Sequence, residues 1–346
     1  MIIPYPLTFE LNLHKMIWGG SRLMAFKGLP SSGDDHVGES WEVSAVEGDE
    51  SVISNGSFKG RTLADLLKEY KEKLVGNTVY KRYGDKFPLL VKFIDAAHDL
   101  SIQVHPNDSL SMQRHGKFGK TEMWYVMEAQ PDAHLYCGFN TPISKYEYRK
   151  RVEDHSITEV LRKYTVEAGN VFFIPAGRVH AICEGTLVAE VQQSSDVTYR
   201  IYDYDRMGLD GKPRQLHTEL AVDAIDYSVN EMTATPYERE VNKPVYVADC
   251  PFFTVKLVEI NRPFHRKLYK YDSFVIYMCL EDDCKIEVLS TKGYGWGVMP
   301  EVTEIVLKKG NSCLVPASVS DIRLVPLGPE KKTKLLEVYI DNKNYV

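Results

Sequence analysis

Cysteine is scarce and scattered: six residues in 346 (Cys137, Cys183, Cys250, Cys279, Cys284 and Cys313), with no Cys-x-x-Cys pair. That excludes a dense disulfide framework and a thiolate zinc site, and it predicts reduced, mostly buried thiols. Basic runs are missing too. A net charge of −6 with no Lys/Arg stripe excludes the usual nucleic-acid-binding classes. No apolar run approaches membrane-spanning length, and the start Met1-Ile-Ile-Pro-Tyr-Pro6 has no basic segment followed by an apolar one. The expectation is a soluble, cytoplasmic protein without a membrane or nucleic-acid partner; nothing in the chain specifies an oligomeric state.

What is present is a large apolar fraction, 44% of 39.5 kDa, enough to bury a sizeable core and to fill two domains. Short apolar runs such as Phe87-Pro-Leu-Leu-Val-Lys-Phe-Ile94 and Met123-Trp-Tyr-Val-Met127 are separated by turn residues and read as strands. Helical periodicity is confined mainly to Thr62–Val75, with weaker stretches at Ser144–Leu161 and His217–Ile225. The fold predicted is mostly β with small helical insertions.

An internal repeat organises these strands. Val166-Glu-Ala-Gly-Asn-Val-Phe-Phe-Ile-Pro-Ala-Gly-Arg-Val-His180 recurs in form as Leu307-Lys-Lys-Gly-Asn-Ser-Cys-Leu-Val-Pro-Ala-Ser-Val-Ser-Asp321, and Glu122-Met-Trp-Tyr-Val-Met127 is echoed by Ser273-Phe-Val-Ile-Tyr-Met278. Gly-Asn, an apolar strand and Pro-Ala keep their spacing, while His180 becomes Asp321 and Glu122 becomes Ser273. Two related barrels are expected, 1–235 with a metal and helical insertions and 236–346 without metal ligands.

The ligands expected in the first barrel are Gln103, His105, Glu122 and His180. Gln103 and His105 are two apart in Ser101-Ile-Gln-Val-His-Pro106, so on a strand both side chains point the same way. Glu122 in Gly119-Lys-Thr-Glu-Met123 and His180 after a Pro-Ala-Gly turn come from later strands. Two imidazoles, a carboxylate and an amide oxygen suit a divalent transition metal; zinc leads, with iron, manganese and nickel open. The other eight histidines (14, 36, 98, 115, 134, 155, 217 and 265) have no comparable setting and read as ordinary side chains.

The glycine, apolar strand and Pro-x-x-x-x-His pattern resembles the second motif of cupins, jelly-roll barrels with a central metal. Read together, Trp18-Gly-Gly-Ser-Arg22, Gly38-Glu-Ser-Trp-Glu-Val-Ser44, the Gln103/His105 segment, Gly119-Lys-Thr-Glu-Met-Trp124 and Glu190-Val-Gln-Gln-Ser-Ser-Asp-Val-Thr-Tyr-Arg200 resemble the type I mannose-6-phosphate isomerases in their shorter bacterial form. The resemblance implies two cupin-type jelly-roll barrels and one zinc ion per chain on Gln103, His105, Glu122 and His180. It further implies Arg200 as a catalytic arginine, and Lys120 and Ser101 near the phosphate of a small sugar-phosphate substrate. Trp18 is a candidate pocket wall.

The reaction implied moves a proton between C1 and C2 of the sugar through a cis-enediol. Arg200 stays protonated and suits a developing enediolate or a phosphate. Glu190 is the first candidate for the proton-transfer group, with Glu42 and Lys92 as rivals that could instead form a structural pair with each other. Asp196 and Tyr199 are expected to position the Arg200 loop, and Tyr204–Arg206 with Gly208–Pro213 to form a solvated loop near the mouth. Other readings of the same ligands are a non-haem metal oxygenase and a sugar-binding cupin without turnover.

Overall fold

The computed structural model describes residues 2–33, 35–229, 234–295, 297–328, 330 and 332–341. Strands dominate and are gathered into four antiparallel sheets that remain separate in hydrogen-bonding terms. The first sheet runs in the order Leu13–Gly20, Val37–Val43, Leu89–Ala96, Thr186–Gln193, Glu122–Ala129, Val171–Ile174. Facing it is a second of Tyr199–Tyr202, Ile102–Val104, His180–Ile182, His134–Phe139 and Leu161–Thr165. Trp18, Ile94, Trp124 and Val188 from one and Leu135, Cys137 and Ile182 from the other fill the space between.

The C-terminal part repeats this plan. Its larger sheet is ordered Leu7–Thr8, Ser312–Val315, Val275–Glu281, Thr333–Tyr339, Thr254–Ile260, Val245–Asp249, and its smaller one Phe264–Lys267, Val319–Pro326, Cys284–Thr291, Glu304–Leu307. Four consecutive neighbours of the first sheet thus have counterparts in the third, in the same order. The Gly-Asn turns of the sequence repeat occupy matching places: Gly169 (φ 95) enters Val171–Ile174 and Gly310 (φ 78) enters Ser312–Val315. A positive φ there favours glycine, which has no Cβ to clash. The architecture is a pair of two-sheet jelly rolls, as expected. The segment Leu7–Thr8 pairs with Cys313–Leu314 in the C-terminal sheet, tying the two ends of the chain together.

The two units stand back to back. Val91, Phe93, Met123 and Val191 on the outer face of the first sheet meet Val255, Leu257, Ile276 and Val338 of the third, with Leu63, Leu67 and Val79 closing one end. Buried on both faces, Leu89–Ala96 is covered at all eight positions, which is why it reads as a nearly unbroken apolar run.

Helices form where the periodicity lies: Leu63–Tyr70 and Glu72–Val75, Lys145–Glu153, and Thr218–Ala224. Thr62 caps the first by accepting from Asp65 N–H, and Ser144 caps Lys145–Glu153 through Glu147 N–H. Three more among the described residues, the short Arg22–Phe26 and the longer Asn77–Tyr83 and Asp108–His115, go beyond the expectation. Asp108–His115 begins where Asn107 accepts from Leu110 N–H as an N-cap. All six cysteines are buried thiols. No helix among the described residues is long and apolar enough to cross a membrane.

Candidate active site

The ligand candidates meet because three strands end at one point. Gln103 lies mid-strand opposite His180, which opens its own strand. Glu122 opens the strand Glu122–Ala129 on the facing sheet. His105 follows its strand by one residue and still turns inward.

His180 Nε2 is 3.2 Å from Glu122 Oε1, His105 Nε2 is 3.5 Å from Glu122 Oε2, and the Gln103 amide is 3.3 Å from His180 Nε2. A tetrahedral ion with bonds of about 2.0–2.2 Å separates its ligands by about 3.3–3.6 Å, so the histidine and glutamate donor atoms already lie close to metal-site spacing, while Gln103 turns its amide nitrogen Nε2 toward His180. His105, Glu122 and His180 form a candidate metal-binding triad.

The surroundings of these donors fit the same reading. His105 Nδ1 is 3.1 Å from Val197 O and His180 Nδ1 is 2.7 Å from Arg178 O. Each carbonyl selects the tautomer that leaves Nε2 bare toward the centre, the usual support of a metal-bound histidine. Burial drives both imidazoles toward neutrality, His105 well below its ordinary value and His180 down to about 4. Glu122 is fully buried. A buried carboxylate calls for a cation, and here the Lys120 ammonium meets Oε2 while Oε1 accepts no hydrogen bond.

Lys120 supplies one neighbouring charge: its Nζ is 2.8 Å from Glu122 Oε2 and 3.1 Å from His105 Nε2. Burial works against that ammonium, but Glu122, Glu190 and Glu39 hold its pKa above the ordinary lysine value. Its place is therefore within the ligand cluster.

From this centre a cleft of about 250 Å³ opens outward, lined by Trp18, Ser101, Gln103, Lys120, Glu190 and Arg200 among others. The structure thus brings all six of these candidates to one wall. A larger cleft of about 420 Å³ lies elsewhere, around Lys27, Glu42 and Ser312, away from the triad. We place the chemistry in the smaller one, whose wall includes Gln103 and Lys120, the residues that touch the buried triad.

Glu190 faces the cleft from the middle of Thr186–Gln193, directly across from Trp124, whose Nε1 donates to Glu190 Oε2 at 2.9 Å. Its Oε1 accepts no hydrogen bond and faces Lys92 Nζ at 3.6 Å. Burial, then the charge of Glu122, raises its pKa.

Lys92 also lines the cleft, but the proposed pairing of Lys92 with Glu42 is corrected. Glu42 points to the opposite face of its strand, where it pairs with Lys27 at 2.7 Å. The partner of Lys92 is Glu39, at 3.0 Å, which also accepts from Trp41 Nε1 at 2.6 Å. Burial opposes the charge on Glu39, yet Lys92 and the Trp41 hydrogen bond hold its pKa down.

Glu39 and Trp41 are cleft residues that the sequence reading missed. The available signal was strand parity: Glu39 and Trp41 share one face of Val37–Val43, Ser40 and Glu42 the other.

Arg200 forms the outer wall. Its Nη1 donates to Gln215 O at 2.9 Å, while its Nε is buried without a hydrogen-bond partner. Burial, then repulsion by Arg214, lowers its pKa. Arg214, also missed in the sequence, lines the same cleft and is held by Asp203, Nε to Oδ2 at 2.7 Å. Arg206 grips Asp203 Oδ1 at 2.8 Å and Asp99 O at 2.6 Å, so the segment read as solvated loop is anchored at the mouth. Asp196 is exposed and paired with Lys117 at 2.7 Å. Tyr199 points away from the cleft, its hydroxyl 2.8 Å from His115 Nε2.

Comparison with known proteins agrees with this geometry. Residues 7–133 match the family model "Phosphomannose isomerase type I, catalytic domain". The chain is 39% identical over 323 residues to the mannose-6-phosphate isomerase ManA of Bacillus subtilis, covering 92% of this chain and 95% of that protein. It is also 39% identical over 260 residues to the mannose-6-phosphate isomerase of Streptococcus mutans, covering 74% and 79%. The crystal structure of a mannose 6-phosphate isomerase from Bacillus subtilis superposes with a TM-score of 0.82 at 30% identity, covering 97% of this chain and 99% of that one. At 39% identity over 92% of its length, with the family model matching residues 7–133, the chain belongs to the type I mannose-6-phosphate isomerase family.

Proposed function

We propose that the protein interconverts mannose 6-phosphate and fructose 6-phosphate, an aldose–ketose isomerisation, in the cleft between Glu190 and Arg200. The observation that carries this reading is the shared wall: Gln103 and Lys120, which touch the buried ligand triad, the under-bonded carboxylate of Glu190 and two arginines line one cavity. Gln103, His105, Glu122 and His180 would hold zinc, with the amide oxygen of Gln103 as the fourth donor. When bound, the ion supplies a Lewis acid for the carbonyl and hydroxyl oxygens at C1 and C2.

The chain's own groups complete the reaction. Glu190, kept basic enough to accept a proton by burial, takes the proton from C2 of open-chain mannose 6-phosphate and returns it at C1, while the O2 hydroxyl proton passes to O1 through the cis-enediol. Trp124 fixes one of its oxygens and leaves the other for the substrate. Lys120 presents an ammonium beside the metal ligands, where charge on an enediolate oxygen develops. Arg200 and Arg214 bring two guanidinium groups to the mouth for the phosphate, with Ser101 and Lys120 on the same wall toward the reacting end. Trp18 is buried against the ring-binding side. Residues 1–235 form the catalytic unit and 236–346 its metal-free companion, in a cytoplasmic enzyme.

The test is a coupled assay of fructose 6-phosphate formed from mannose 6-phosphate, on protein stripped by chelator and reloaded with zinc. Turnover lost on stripping and regained with zinc is expected. Absence of turnover in every metal state, with metal bound, would remove the isomerase reading.

A further inference from the structure

Tyr199–Tyr202 is the edge strand of its sheet. Its neighbour Ile102–Val104 lies on one side, with Arg200 opposite Gln103. An edge residue of this kind leaves its own N–H and C=O pointing outward, open to water or to another segment. Here a single residue takes both. Arg200 N–H donates to the imidazole Nδ1 of His217 at 3.1 Å, and His217 N–H donates to Arg200 O at 2.7 Å. Two residues earlier, Gln215 O receives the Arg200 guanidinium.

The imidazole is unusual in its direction. His217 occupies the N-cap position of Thr218–Ala224 but makes no side-chain bond to that helix. The ring is instead turned back onto the strand and sits beside Tyr199, with ring centroids 6.2 Å apart. Burial, then Arg200 and His115, lowers its pKa, in keeping with a neutral ring whose Nδ1 lone pair is available. The same short segment carries Arg214 to the cleft, so one docking event places both guanidinium groups.

We infer that His217 is a positioning residue for Arg200: its ring nitrogen and its own N–H clamp the Arg200 peptide, so that the guanidinium is presented to the substrate phosphate at a fixed depth. This rests on the reading of Arg200 as a phosphate contact. The ring is not expected to touch substrate.

The experiment uses zinc-loaded full-length protein and measures kcat and KM for mannose 6-phosphate, inhibition by inorganic phosphate, and bound zinc. His217→Ala removes the acceptor and is expected to raise KM and the phosphate inhibition constant together by about tenfold, the size of one lost hydrogen bond, with smaller change in kcat and zinc content retained. His217→Asn returns an acceptor at the same reach and is expected to recover to within about threefold of the parent. In an Arg200→Ala background, His217→Ala should add less than about twofold, because the two act as one unit.

Equal KM and phosphate inhibition in His217→Ala and the parent would overturn the inference, as would an Asn variant no better than Ala, or full additivity in the double variant. If Arg200→Ala itself leaves KM and phosphate inhibition unchanged, the reading of Arg200 fails first. That result is distinguishable from a failure confined to His217.

Discussion

The centres of the two jelly rolls are built on one frame and finished in opposite ways. In both, an inward aromatic on the middle strand donates to a glutamate directly opposite on the next strand: Trp124 to Glu190 at 2.9 Å, and Tyr277 to Glu337 at 2.8 Å. In the C-terminal unit the circuit closes. Arg266 meets both oxygens of Glu337, Nε to Oε2 at 2.8 Å and Nη2 to Oε1 at 2.5 Å, and Tyr271 adds its hydroxyl to Arg266. In the N-terminal unit it stays open: Glu190 Oε1 accepts no hydrogen bond, and of the Glu122 oxygens Oε2 meets the Lys120 ammonium at 2.8 Å while Oε1 accepts no hydrogen bond. A buried polar network is stable when every member is satisfied. The open one therefore carries a demand for partners, which a metal and a substrate can meet, and the closed one carries none.

Making the first centre resemble the second should have the largest effect. Glu122→Val installs the residue found at the matching place, Val275: Glu122 pairs with Ile174 and Val275 with Val315, so the structure moves the counterpart of Glu122 two residues along from the Ser273 suggested by the sequence echo. Bound metal should be lost, and turnover should fall by roughly 10³-fold or more, the scale of several kcal/mol of Lewis-acid stabilisation. Metal analysis and the coupled assay check both. A variant that keeps metal and turnover would break the comparison at its root.

Opening the second centre should weaken folding and spare chemistry. Arg266→Met leaves Glu337 fully buried and uncompensated, at a cost of about 3–5 kcal/mol, read from denaturant unfolding. The activity of the folded fraction should be unchanged. Arg266→Met combined with Glu337→Leu should recover most of the loss, since an apolar pair of similar volume can replace a buried ion pair. Because the two units share the core between their larger sheets, both should melt in one transition. A separate early transition would assign the units independent stability.

Within the first centre, Glu190→Gln keeps the Trp124 contact and removes the base. kcat should drop by roughly 10²-fold or more, with zinc content preserved and KM little changed. A drop in zinc content instead would make Glu190 a support for the metal ligands.

The frame itself was legible because strands repeat every two residues and the Gly-Asn turn leaves a mark in both copies. That is enough to place Gln103, His105, Glu122 and His180 together. Parity could not be settled at Glu39-Ser-Trp-Glu42: two glutamates lie on opposite faces, and only the sheet's neighbours decide that Glu39 meets Lys92 while Glu42 meets Lys27. The closed centre was hidden for a similar reason. Arg266 and Glu337 are 71 residues apart, and no local pattern announces that they pair. Arg214 lies just past the segment read as loop and His217 opens the stretch read as helix, and their roles arise from docking on an edge strand, which no local pattern announces.

The smallest effect expected is at the mouth, where a buried carboxylate, Asp203, is shared by two arginines, whereas Glu337 in the second unit is held by Arg266. Burial raises the pKa of Asp203, but hydrogen bonds from Arg214 and Arg206 outweigh it and leave the group below its ordinary value. A carboxylate so depressed adds stability above its unfolded value near 3.9, and loses it as pH falls through the still lower folded value. Across neutral pH the Arg206–Asp203–Arg214 contact is therefore constant, and it should contribute no slope to KM between roughly pH 6 and 8. Asp203→Asn removes the shared charge, frees Arg214, and should raise KM for mannose 6-phosphate by a few-fold with kcat nearly unchanged. The variant should also lose the acid-side stability step belonging to Asp203, seen as a flatter unfolding midpoint below about pH 4. A KM that falls instead would mean that Asp203 competes with the phosphate for Arg214, and that the arginine is restrained at the mouth rather than presented by its carboxylate.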